Sequence, residues 1–83
     1  MASTAESFIF ATRLKNGQFV IGESKKPAVT IASLNSGNYP IAERHSIKDI
    51  LGIRIVNEER TLESTREKFE QAYGKENVTV LSA

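Results

Sequence analysis

The chain has no cysteine and no tryptophan among its 83 residues. Without thiols it forms no disulfide, no thiolate metal site and no cysteine nucleophile, a usage that fits a reducing cytoplasm. Its one histidine, His45, excludes a centre built from several imidazoles. No apolar run approaches the roughly 20 residues that span a bilayer, so no membrane partner is expected. The opening MASTAES carries neither the basic nor the apolar region of a secretory signal. Residues 1–7 are expected to be a flexible polar lead-in, and 8–83 a single domain with one small core. No phosphate-cradling glycine loop, nucleophile elbow or zinc-ligand spacing occurs.

What is present begins with FIFATRLKNGQFVIG, Phe8 to Gly22. Two β-type runs, Phe8 to Leu14 and Gln18 to Ile21, flank Lys15-Asn16-Gly17. Asn-Gly tolerates the positive φ angles of tight hairpin turns, so an antiparallel hairpin is expected, with Gly22 ending it. Pro27 suits the first position of a helix, and Ser36-Gly37 its close. Between them Ala28, Ile31, Ala32 and Asn35, widened by Leu34, form the stripe that packs on a sheet. Asn35 to Asp49 reads as a long loop and Ile50 to Val56 as a strand. A second helix follows, capped by Thr61 or by Ser64 with Glu67. Its buried stripe is Leu62, Thr65, Phe69, Ala72 and Tyr73, and Gly74 stops it. Asn77 to Leu81 is expected as a last strand at a sheet edge. The predicted fold is α+β in the order β-β-α-β-α-β: a small, mostly antiparallel sheet of three to four strands with two helices.

Charge is unevenly spread. Phe10 to Ile55 holds seven bases and three acids, net +4, whereas Val56 to the end holds four bases and six acids, net −2. A basic front can suit a polyanion, and interspersed surface charge is the plain alternative. Glu63, Glu67 and Glu70 share one face of the second helix, an arrangement that can hold magnesium and that more often is a solvated face. His45, alone in a polar loop, is more often a surface residue than a catalyst.

The hairpin wording and three further features together resemble the GIY-YIG nuclease superfamily over nearly the whole chain. These features are the spacing from Gly22 to Asn35-Ser36-Gly37, Arg44-His45 before the third strand, and Tyr73-Gly74-Lys75-Glu76-Asn77-Val78 after the second helix, all in the same order of elements. ATRLKNGQFVIG and IASLNSG are also similar to small stand-alone proteins of T4-like cyanophages, which would imply a host cytoplasm. The resemblance implies a hairpin tyrosine pair, a helix arginine, a histidine or tyrosine beyond it and a metal-binding glutamate. Those positions fall on Phe10, Val20, Thr30 and Arg66, with His45 near an expected one. Phe10 loses the hydroxyl, Val20 the ring, Thr30 the cation, and Arg66 reverses the metal ligand's charge. Losing one transition-state contact typically costs about 2.7–4 kcal/mol, so the expected protein keeps the fold without the reaction.

Three functions follow as expectations. The leading one is a catalytically inactive binding module that takes DNA or RNA through Arg13, Lys15, Lys25, Lys26, Arg44 and Lys48, and needs no cofactor. The second is a divergent endonuclease using His45 and Glu63 with Mg2+. The third is a protein-interaction or oligomer module that pairs through its C-terminal strand.

Overall fold

The computed structural model describes residues 6–36 and 46–81. The expected lead-in therefore falls mostly outside the described residues, as do Gly37, Arg44 and His45. The chain opens with the antiparallel hairpin of β1 (Phe8–Leu14) and β2 (Phe19–Ser24). Its turn differs from a pair of positive-φ residues: among the described residues only Gly17 (φ 91°) and Gly74 (φ 95°) adopt positive φ. Gly17 donates to the Leu14 carbonyl at 3.0 Å, and the Asn16 side chain accepts from the Gln18 amide at 3.0 Å. Asn16 thus serves through its side chain, and Gly17 alone supplies the reversal that a three-residue loop requires.

Gly22 does not end β2, which runs on to Ser24. Gly22 lies opposite Phe10, and a Cβ placed there would come within 2.6 Å of Phe10 Cζ. The missing side chain at 22 makes room for the ring. This is why a glycine sits inside a strand, where it otherwise weakens pairing.

α1 spans Pro27–Asn35, with Pro27 in its first turn and Ser36 at its close. Ile31 and Leu34 are buried as the periodicity implied, but Ala28 and Ala32 are exposed. The helix leans instead on its Pro27, Thr30, Ile31 and Leu34 side, held by the Ser24–Thr30 hydroxyl pair at 2.8 Å. β3 is longer than expected, Ile47–Ile55, so the loop before it is shorter. Ile47 donates its amide to the Asn35 side chain at 3.0 Å, which starts the strand early. α2 covers Leu62–Tyr73 under a reciprocal cap between Thr61 and Ser64, and Gly74 ends it. The pairing of Ser64 with Glu67 is not used. After a 3₁₀ turn at Lys75–Asn77, β4 (Val78–Leu81) completes the chain.

The four strands form one mixed, mostly antiparallel sheet in the order β3-β1-β2-β4, with β4 parallel to β2 at the edge. The helices lie on opposite faces of it. Leu34 of α1 packs with Leu14 and Val20, joined by Ile47 and Leu81. Phe69 and Tyr73 of α2 pack on Phe19, with ring centroids 5.9 and 4.0 Å from it. Phe19 and Val20 are consecutive in a strand, so their side chains point to opposite faces. This explains why β1 is apolar on both sides: Phe10, Thr12 and Leu14 are buried beneath α1, and Ile9 and Ala11 are buried on the other side. The Thr12 hydroxyl, fully buried, donates to the Val20 carbonyl at 3.0 Å.

Gly22→Ala is expected to destabilise the fold by about 1–3 kcal/mol through overpacking against the Phe10 ring. Urea unfolding measures this loss. Pairing it with Phe10→Leu, which removes the obstructing ring atoms, should make the second change cheaper than it is alone.

Candidate functional site

The two hairpin positions matched to nuclease tyrosines are packing residues. Phe10 and Val20 are fully buried on the α1 face of the sheet. Thr30 reaches the same side from α1, but its hydroxyl is taken by Ser24 and by the Lys26 carbonyl. Arg66 belongs to α2, on the other face. The four positions do not converge on one surface. The reason is architectural, because the sheet itself separates α1 from α2.

Arg66 has a different role. Its guanidinium donates to Glu63 and lies 4.0 Å from Glu70, so it bridges two members of the glutamate row along the helix. Glu63 is therefore spent in an ion pair rather than held open for a cation. Among the described residues no three Asp, Glu, His or Cys side chains gather closely enough to share a metal ion. His45, the partner proposed for Glu63, lies outside the described residues.

The basic residues divide between the two ends of the sheet. Lys15 sits in the hairpin turn, where its amide donates to the Ser46 carbonyl at 3.0 Å. Leu14 pairs with Ile47, and Arg13 with Asp49, which brings Lys48 beside that turn. Arg13 is bound to Asp49 at 2.9 Å, whereas Lys15 and Lys48 are exposed and form no ion pair among the described residues. The 3₁₀ turn carrying Lys75 reaches the same end, since Gln18 donates to the Asn77 side chain at 3.2 Å. Lys25 and Lys26 follow β2 and so lie at the far end. At about 3.3 Å per residue along β1, the two groups are separated by roughly 20 Å. Arg44, next to Ser46 in the sequence but for His45, lies outside the described residues.

A further basic group forms where the sequence looked acidic. Arg54, Arg60 and Lys68 share a pocket of about 360 Å³ between β3 and the start of α2. Averaging over Val56 to the C-terminus hid Arg60 and Lys68 among six acids and separated them from Arg54, which falls in the basic front. The signal available was local: Asn57, a turn former, three residues before Arg60. Its side chain accepts from the Glu59 and Arg60 amides at 2.9 and 2.7 Å and bends the chain back.

Comparisons with protein families, with curated proteins and with solved structures found no match to this chain.

Phe10→Tyr is expected to lower stability by about 1–3 kcal/mol, because Cζ points at Gly22 and the new hydroxyl is buried without a partner. Thermal or urea unfolding checks it. A variant as stable as the parent would mean that the ring edge reaches solvent.

Proposed function

We propose that the chain is a non-catalytic binding module that takes nucleic acid at the hairpin-turn end of its sheet. What carries this reading is the juxtaposition of Lys15 and Lys48, both exposed and without an ion-pair partner among the described residues, beside Arg13. Phosphate oxygens favour such unpaired ammonium groups, and their release of counterions makes binding fall steeply with salt. Asp49 offsets Arg13, so the patch is modest and the affinity should be modest too. The resemblance to GIY-YIG nucleases agrees with a nucleic-acid partner. The non-catalytic half of the reading rests on Phe10 and Val20 acting as core and on Glu63 being held by Arg66, rather than on four matched positions.

Gel-shift titrations with DNA and RNA over a range of salt test it. Each lysine that contacts a phosphate should contribute roughly one unit to the salt slope, so Lys15→Gln with Lys48→Gln should flatten it by nearly two. Binding indifferent to salt, or no binding at low salt, would refute the reading.

A second reading, association with another copy of the chain, is favoured by the edge formed by β3. Nine residues long, β3 has no strand on its outer side among the described residues, and it exposes Ile50, Leu51, Ile53 and Ile55. Long apolar edges invite pairing with a second strand. The C-terminal strand suits this less well, because β4 has four residues and Leu81 already packs on the intramolecular core. Light scattering should show a concentration-dependent dimer that Ile53→Lys abolishes. A monomer throughout the accessible concentrations removes this reading.

A further inference from the structure

The pocket between β3 and α2 has a construction unlike the hairpin-end patch. Its floor is apolar, formed by Ile9, Ala11 and the Phe69 side chain, and its rim carries Arg54, Arg60 and Lys68 against one acid, Glu59. Each cation comes from a different element: β3, the turn after it, and α2. None of the three forms an ion pair among the described residues.

Two of the three are also held in place. Arg60 donates from Nη1 to the Ile55 carbonyl at 3.2 Å, across the turn that Asn57 closes. Arg54 donates from Nη1 to the Ile53 carbonyl at 3.1 Å, and a Cβ at Gly52 would lie 3.7 Å from that nitrogen. Its guanidinium therefore rests over a stretch of strand with no side chain, on the pocket side. Each guanidinium spends one nitrogen on a backbone carbonyl and keeps further donors for a ligand. At the start of α2 the Ser64 amide is taken by the Thr61 hydroxyl in the reciprocal cap.

Three like charges gathered around a single carboxylate, Glu59, with which none of them is paired, repel one another, and an anion seated among them relieves that repulsion. The apolar floor beside them fits a flat ring or short hydrocarbon. We propose that this pocket binds a phosphate monoester joined to a flat, largely apolar ring. A nucleotide, free or at the 5′ end of a strand, is the form that the nucleic-acid reading calls for. The inference rests on that reading for the choice of nucleotide. The phosphate is held by Arg54, Arg60 and Lys68, and the ring lies on Ile9 and Phe69. The volume admits one nucleotide rather than a run of them.

Isothermal titration calorimetry with four probes tests the assignment: adenosine 5′-monophosphate, adenosine, inorganic phosphate, and a short oligonucleotide with either a 5′-phosphate or a 5′-hydroxyl. The expected result is binding of the monophosphate, with adenosine and inorganic phosphate each at least about tenfold weaker. Arg60→Gln and Lys68→Gln should each weaken the monophosphate about tenfold or more, while Lys26→Gln, at the start of α1 on the opposite face of the sheet and outside the pocket lining, leaves it unchanged. A thermal melt of each variant separates lost binding from lost folding. Equal binding of adenosine and its monophosphate, or no response to either pocket variant, would overturn the proposal. Inorganic phosphate binding as tightly as the monophosphate would overturn the role given to the floor.

The oligonucleotide arms separate this proposal from the one beneath it. Preference for the 5′-phosphate end identifies a strand terminus as the source, and binding of the monophosphate alone identifies a free nucleotide and removes the nucleic-acid reading. Binding of both oligonucleotides equally, with no binding of the monophosphate, removes the pocket assignment and leaves the hairpin-end surface standing.

Discussion

The ring of Phe10 lies across the backbone of Gly22, and the hairpin is built to permit it. Because residue 22 has no side chain, β2 continues past the ring to Ser24 and reaches α1 through the Ser24–Thr30 hydroxyl pair. The same packing closes the α1 face, where Leu14, Val20 and Leu34 meet. With β1 and β2 central in the sheet and covered on both faces, their outward strands and helices inherit fixed positions. Stability is concentrated there. Among the described residues the nine fully or nearly buried apolar ones fall on β1, β2 and α1, and none falls on β3, α2 or β4.

That concentration decides where recognition can occur. The hairpin interior holds packed groups, so its wording specifies architecture. The surfaces left for ligands are the turn end, the flank between β3 and α2, and the outer edge of β3. The charged side chains at each are ones that the core does not need. A domain of this size gains by the separation, since surface charge can change there without loss of the packed hairpin. The α2 face is the more open of the two. Tyr73 stacks on Phe19 at an interplanar angle of 19° yet stays nearly half exposed, and no residue of α2 is buried.

Element type was largely legible in the sequence, because alternation in β1 and the Pro27, Thr61 and Gly74 signals act locally. The mixed sheet order was not, since nothing local says that β4 runs parallel beside β2. Boundaries failed where a tertiary contact overrode a local cue. Gly22 reads as a strand end until the Phe10 ring is known to need its space, and the Asn35 side chain starts β3 at Ile47 by a contact twelve residues away. The candidate site was harder still. Lys15 and Lys48 meet through strand register, and Arg54, Arg60 and Lys68 meet through packing. The match of Phe10, Val20, Thr30 and Arg66 treated as one surface what the sheet divides into two.

The most direct test of the account is an NMR titration of isotopically labelled protein with a 5′-hydroxyl oligonucleotide at low salt. The account predicts amide shifts concentrated at Lys15–Gln18 and Ser46–Asp49, with Lys25 and Lys26 silent and the buried hairpin residues little changed. Shifts centred on Phe10, Val20 and Thr30, or confined to the start of α1, would contradict it.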